Sequence, residues 1–375
     1  MNPKKLGFGL MRLPLADPND TTKIDYEALS EMVDRYMDAG FNYFDTAYPY
    51  HGGKNSEIAF ENCVAKRYPR DAYTITDKLS LFVVDKAENL EDYFNGQLER
   101  CDVEYFDYYL LHAMNKNYLE LADRIGAFDF ALQKKAEGKI RHVGFSFHDT
   151  PEVLEEILTR HPEMEYVQLQ LNYLDWDSDD VQSRACYETA VRHGKKVLVM
   201  EPVKGGLLAN VPEEAQALMK ENHPDLSVAS WAVRFAASLP EVAMVLSGMS
   251  NLEQMEDNLS YMKEFSPLSE EEQNLVKRVT EIIASKESIP CTACRYCVDG
   301  CPMQIAIPDY FKLMNNISKF GDSQKSKAKA SYKRFTETQG KGRASTCIEC
   351  RQCEEHCPQH LSITDYLKEV AAVLE

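Results

Sequence analysis

Short apolar runs rich in β-branched and aromatic residues recur at 6–11, 42–45, 73–76, 107–111, 142–147, 166–171, 196–200 and 243–246. Each is too short for a helix and suits a pleated, buried strand. Between them the apolar positions fall at three- and four-residue spacing, which predicts amphipathic helices at 26–39, 90–101, 124–137, 151–160, 179–193 and 227–238, with an eighth helix beginning at 253–258. Gly40, Gly138 and Gly194 follow three of these helices, where a C-terminus favours glycine. Eight βα units of this length imply an α/β fold, a closed parallel (β/α)8 TIM barrel of about 250 residues. The competing open doubly wound sheet calls for G-x-G-x-x-G after an early strand, and no such segment is there.

After Pro267 the pattern changes to a charged helix at 269–285, followed by a cysteine-rich segment. The expected division is a barrel over 1–267, a linker helix over 268–287 and a second domain over 288–375. Charge supports two kinds of surface. The chain has 42 basic and 60 acidic residues, net -18, with 12 basic and 10 acidic residues after Glu287. A strongly acidic barrel argues against nucleic acid and anionic membranes as partners. The N-terminal Met1-Asn2-Pro3-Lys4-Lys5 has no apolar signal-peptide core, and no stretch approaches the ~18 apolar residues of a membrane span. A cytoplasmic location is expected.

Of 11 cysteines, Cys63, Cys101 and Cys186 are scattered and read as small buried apolar residues. The other eight form Cys291-x-x-Cys294-x-x-Cys297-x-x-x-Cys301-Pro302 and Cys347-x-x-Cys350-x-x-Cys353-x-x-x-Cys357-Pro358, two copies of one pattern. Zinc sites favour paired cysteines, whereas this spacing resembles that of bacterial two-cluster ferredoxins. The resemblance implies two [4Fe-4S] clusters with crossed fourth ligands. One would take Cys291, Cys294, Cys297 and Cys357, and the other Cys347, Cys350, Cys353 and Cys301. The 45 residues between Cys301 and Cys347 exceed a compact ferredoxin and include helical text at 310–317, so the domain resembles a mainly α-helical ferredoxin. Between the motifs, Lys325, Lys327, Lys329, Lys333 and Arg334 form either a solvated face or a landing site for an acidic external electron carrier.

Barrel enzymes work at the C-terminal ends of their strands. Here Asp45 closes the second strand, Lys78 follows the third, His112 ends the fourth and Ser146 lies near the end of the fifth. Gln168 and Asn172 bracket the sixth, and Glu201 follows the seventh. These types suit carbonyl reduction. Tyr50 would protonate the developing alkoxide, with Tyr48 as a competitor for that role. Lys78 would stabilise the phenolate and lower its pKa, Asp45 would balance Lys78, and His112 would hydrogen-bond the same oxygen.

Residues 5–260 resemble the aldo-keto reductases: Asp45-Thr46-Ala47, Tyr50, Lys78 and His112 match that family's tetrad. The resemblance implies NAD(P)(H), with Ser146 and Gln168 at the nicotinamide amide. Phe147 stands where an asparagine is usual, and Met200 where many members stack a tyrosine. It further implies cofactor contacts from Glu201, from Gly205-Gly206-Leu207 at the pyrophosphate, and from Gly248, Met249, Ser250, Gln254 and Asn258 at the adenosine end. The lysine and arginine that commonly clamp a 2′-phosphate would fall at Gly248 and Gln254, so the sequence supports no preference for NADPH. Joining hydride chemistry to one-electron clusters calls for a flavin or a radical-tolerant substrate, and no flavin motif stands out. The expected function is reduction of a small carbonyl, or oxidation of an alcohol, coupled to the clusters. The alternative is an electron-transfer or redox-sensing protein whose barrel binds a ligand without turning it over.

Overall fold

The structure, a computed structural model, describes residues 4–18, 20–179, 181–286, 288–291 and 293–375. Eight parallel strands close into a barrel in sequence order: β1 (Leu6–Gly9), β2 (Tyr43–Asp45), β3 (Thr74–Ser80), β4 (Phe106–Met114), β5 (Ile140–Phe147), β6 (Tyr166–Gln170), β7 (Lys196–Met200) and β8 (Val242–Ser247). β8 returns to β1 with Leu246 beside Gly7. Helices α1 (Tyr26–Asp38), α2 (Asn55–Phe60), α3 (Leu90–Cys101), α4 (Lys116–Ile125), α5 (Ala127–Ala136), α6 (Pro151–Arg160), α7 (Ser183–Arg192), α8 (Glu213–Asn222), α9 (Val228–Ser238) and α10 (Leu252–Met262) connect or follow the strands.

The expected 124–137 helix is instead two. Gly126 takes a left-handed φ of 69° and ends α4, after which α5 starts afresh. A single turn of apolar spacing reads through such a glycine, but the backbone does not. The helix expected from 179 begins at Ser183.

Two-residue alternation along β3 does most of the positioning. Thr76, Lys78 and Ser80 share one face, while Asp77 and Leu79 share the other. On the outward side, the buried Gln97 of α3 donates through Nε2 to Asp77 Oδ1 at 2.9 Å and to the Lys78 carbonyl at 3.1 Å. Tyr109 in turn donates to Gln97 Oε1 at 2.6 Å. Satisfied polar groups buried behind a strand fix its register, because leaving any one unpaired would cost about 1–3 kcal/mol.

The chain forms two compact units: residues up to Gly206 with Ala229–Gln273, and Leu207–Val228 with Asn274–Glu375. After α11 (Glu270–Ser285), the second unit contains α12 (Tyr296–Asp299), α13 (Ile307–Phe320), α14 (Lys325–Lys333), α15 (Gln352–Glu355) and α16 (Ile363–Leu374). Its core packs Tyr310 and Phe311 of α13, Tyr332 of α14, and Leu367 and Val370 of α16. The architecture is thus a (β/α)8 barrel with a helical C-terminal region.

The second unit contains a structural repeat. Each cysteine motif has left-handed non-glycine residues at the same two places, Ala293 and Arg295 in the first and Glu349 and Arg351 in the second. Each motif then places a left-handed residue three positions after its last cysteine, Gln304 and His360. A long helix with an isoleucine at its start follows in both cases, α13 and α16.

Candidate functional site

Lys78 organises the barrel site. Its ammonium donates to Asp45 Oδ1 at 2.7 Å, to the Thr46 carbonyl at 2.8 Å and to the Tyr50 hydroxyl at 3.3 Å. The side chain is 1% exposed, so all three acceptors are needed to hold a charge there. Burial opposes that charge, but Asp45 and Tyr50 outweigh it and raise the Lys78 pKa above its ordinary value. Gln168 reaches across the barrel to donate to the other carboxylate oxygen, Asp45 Oδ2, at 3.2 Å.

Tyr50 differs from the sequence expectation in one respect. Burial pushes its phenol upward, and the Lys78 ammonium, although it pulls the other way, does not overcome that effect. Desolvating a phenolate costs more here than one nearby cation returns, with Asp45 adding repulsion. Tyr50 is therefore a neutral phenol at ordinary pH. Tyr48, the competitor, turns elsewhere: its ring packs on Tyr93, with centroids 5.5 Å apart, and against the Arg100 guanidinium.

His112 stands edge-on to Tyr50, with ring centroids 6.1 Å apart. Burial, helped by Lys78 and His148, holds its pKa well below the usual imidazole value. Its Nδ1 lies 2.8 Å from Ser80 Oγ. Sequence reasoning missed Ser80, although its position two residues after Lys78 on the same face of β3 was a usable signal. Phe82, 48% exposed, lies against the His112 ring at 5.4 Å.

The remaining expected contacts divide. Ser146 is buried and accepts from the Ala113 amide at 2.7 Å. Met200 ends β7, and Glu201 follows it with a left-handed φ of 53°. Gly205 and Gly206 are also left-handed, with φ of 64° and 93°, and the Gly206 amide donates to the Val203 carbonyl at 3.0 Å. Leu207 opens the second compact unit. Gly248 is exposed, and Ser250 donates its amide to Gln254 Oε1 at 2.8 Å. Met249 and Asn258 are buried; Asn258 Nδ2 donates to Ser247 Oγ at 2.7 Å, and its Oδ1 accepts from Tyr261. Asn258 is thereby tied to Ser247 and Tyr261.

In the second unit the eight motif cysteines gather into two sets. Cys301, Cys347, Cys350 and Cys353 line one cavity, and Cys291, Cys294, Cys297 and Cys357 line another. The resemblance to two-cluster ferredoxins implies ligand sets grouped in this way. Burial pushes the Cys297 thiol up to about 12 and Cys353 up to about 11, with neighbouring cysteines adding to both shifts. Thiols so placed need a strongly positive centre among them to ionise, which an iron-sulfur core provides. Four sulfurs around each cavity fit that group, and among the described residues no histidine or carboxylate lines either one. Cys63, Cys101 and Cys186 are buried, unpaired and distant from both motifs in sequence.

Residues 5–281 match the aldo/keto reductase family, and residues 290–361 match the 4Fe-4S dicluster domain. Over 257 residues the chain is 26% identical to L-galactose dehydrogenase of Arabidopsis thaliana, covering 63% of this chain and 78% of that protein. It is 26% identical over 265 residues to the uncharacterized oxidoreductase YqkF of Bacillus subtilis (strain 168), covering 62% and 81%. Among solved structures, an aldo-keto reductase of Bacillus halodurans in its holo form aligns with a TM-score of 0.58 at 24% identity, over 73% of this chain and 91% of its own. One from Klebsiella pneumoniae, solved with NADP and acetate, aligns with a TM-score of 0.58 at 19% identity, over 74% and 95%. At these identities the structural likenesses speak to the fold.

Proposed function

Since this chain belongs to the aldo/keto reductase family and carries a 4Fe-4S dicluster domain, we propose that it reduces a small carbonyl compound, or oxidises the matching alcohol, with Tyr50 as the proton-transferring residue. The observation that carries this reading is the three-way hold of Lys78 on Asp45, Thr46 and Tyr50 inside a closed barrel.

A nicotinamide dinucleotide, the class of cofactor bound by the Klebsiella relative, would supply hydride to the carbonyl carbon. Ser146 and Gln168 would hold its amide, and the turn at Gly205 and Gly206, free of side chains, would let its phosphates approach the backbone. As the carbonyl oxygen gains charge, Tyr50 delivers its proton, and the carbonyl becomes an alcohol. Because burial keeps Tyr50 protonated, the resting site is set for reduction. Lys78 acts after the proton leaves: its ammonium stands beside the new phenolate and limits the cost of forming it. Asp45 keeps Lys78 charged, and Gln168 keeps Asp45 aimed. His112 stays neutral, and in the tautomer whose Nδ1 accepts from Ser80 its Nε2-H is left to hydrogen-bond the substrate oxygen. Phe82 offers an apolar wall beside it.

The eight cysteines would hold two [4Fe-4S] clusters that pass single electrons to or from an external carrier. Joining them to a two-electron reduction calls for a flavin or for a substrate that tolerates a radical.

The test is anaerobic turnover of a panel of aldehydes and ketones with NADH and NADPH. Tyr50→Phe and Lys78→Met should each lower kcat by about 10²–10⁴-fold with cluster absorbance unchanged. Carbonyl reduction that survives both substitutions would remove the tetrad from the chemistry. Reversible cluster reduction without turnover of any carbonyl would instead favour an electron-transfer or sensing role.

A further inference from the structure

The loop after β1 holds an arginine, Arg12, whose charge meets no carboxylate among the described residues. The Leu10 amide donates to the Asp45 carbonyl at 2.8 Å, the Leu13 amide to His51 Nε2 at 3.2 Å, and Ser250 Oγ to the Arg12 carbonyl at 3.0 Å. These bonds fix the Arg12 backbone from both sides and tie it to the loop after β8.

The side chain then crosses two other loops. A Cβ placed on Gly248 would lie 3.3 Å from Arg12 Cβ and 3.4 Å from its Cγ and Cδ. Glycine at 248 is what leaves room for the arginine stem. Farther along, Arg12 Nη2 lies 3.6 Å from where a Cβ on Gly205 would be. The guanidinium from β1 therefore sits between the loops that follow β7 and β8.

Its neighbours leave it available. Lys204, the other cation of the β7 loop, is bound to the buried Asp175, which also accepts from Gln170 and Asn172. Among the described residues, Arg12 pairs with no carboxylate and its side chain is exposed. An exposed arginine on a mobile loop is ordinary; one with a pinned backbone and a stem seated on a glycine is preorganised. The guanidinium fork matches the oxygens of a phosphate. Loops after the seventh and eighth strands of such barrels are common phosphate sites, and here they add the left-handed glycine turn.

We propose that Arg12 binds a phosphate group of the nicotinamide dinucleotide, supplying from β1 the cation that positions 248 and 254 lack. This rests on the nicotinamide reading above. It places a specificity-determining contact in the loop after β1, far in sequence from the β8 segment.

The experiment is equilibrium binding of NADPH and NADH to the anaerobic, cluster-loaded full chain by calorimetry. Arg12→Met keeps the aliphatic stem and removes the charge, Arg12→Lys restores charge without the fork, and Gly248→Ala crowds the stem while leaving the charge. Cluster absorbance and a melting curve establish that each variant is folded. The expected result is at least tenfold weaker NADPH binding for Arg12→Met, an intermediate value for Arg12→Lys, and weakening for Gly248→Ala. If NADPH alone weakens and NADH stays within twofold, Arg12 holds the 2′-phosphate; if both weaken together, it holds the pyrophosphate. The proposal is overturned if the natural protein binds either dinucleotide and Arg12→Met binds both within twofold of it. If the natural protein binds neither at millimolar concentration, the nicotinamide reading falls as well, an outcome distinct from failure of Arg12 alone.

Discussion

At the residue scale, burial sets the protonation states of the barrel site. His112 is the clearest case. An unfolded chain protonates it near ~6.5, while the native site resists protonation until well below that value. Its contribution to stability is thus fully present above about pH 6.5. It drains away as pH falls toward the native pKa, by up to about 1.4 kcal/mol per pH unit. His112→Gln should flatten that part of the pH dependence of Tm between about pH 6.5 and 5.5, measured calorimetrically; an unchanged slope would mean that other groups carry it. Asp45, Lys78 and His112 were legible in the sequence because each polar residue interrupts or closes an apolar strand. The upward shift of Tyr50 was not, since nearest-neighbour reasoning counts the lysine and omits the desolvation around it. Arg12 was illegible for a different reason: its meaning depends on Gly205 and Gly248, which only barrel closure brings to it.

At the scale of elements, the two cysteine loops show how much a spacing can carry. Two left-handed non-glycine residues per loop cost roughly 1–2 kcal/mol each, a strain that metal ligation can offset. The cross between loops makes a specific prediction. On the crossed assignment proposed above, Cys301→Ala should impair the cluster that Cys347, Cys350 and Cys353 would hold, and Cys357→Ala the one that Cys291, Cys294 and Cys297 would hold. Pairing each substitution with a perturbation of one loop, Ile348→Ala or Tyr296→Ala, lets electron paramagnetic resonance report which signal changes. If Cys301→Ala alters the signal that responds to Tyr296 and spares the one that responds to Ile348, the crossed assignment is wrong. The barrel helices were less legible than these loops. The break at Gly126 falls inside a continuous apolar pattern, and periodicity has no means of registering one left-handed residue.

At the scale of the whole molecule, charge is divided along the chain. Residues 1–287 carry 30 basic and 50 acidic side chains against 12 and 10 in the remainder. On α14, Lys325 pairs with Asp322 at 2.9 Å and Lys333 with Glu337 at 3.7 Å, while Lys327 and Lys329 are exposed. If this face receives an acidic one-electron carrier, the rate of cluster reduction should fall steeply with added NaCl. Lys327→Glu with Lys329→Glu should then slow that step several-fold at low salt, by stopped-flow, without loss of iron. A rate indifferent to both salt and substitution would leave these lysines as a solvated helix face.

The crossing of Cys301 and Cys357 between cavities also bears on how the second unit is made and lost. Each fourth ligand closes a loop of about 50 residues, worth on the order of 3–4 kcal/mol of chain entropy apiece. The two cubes would then act as rivets joining the halves of a small helical core as well as conductors. Iron starvation or exposure to air would then weaken that core together with its redox activity. Its abundance in a cell would track iron supply through proteolysis, even before any substrate is considered.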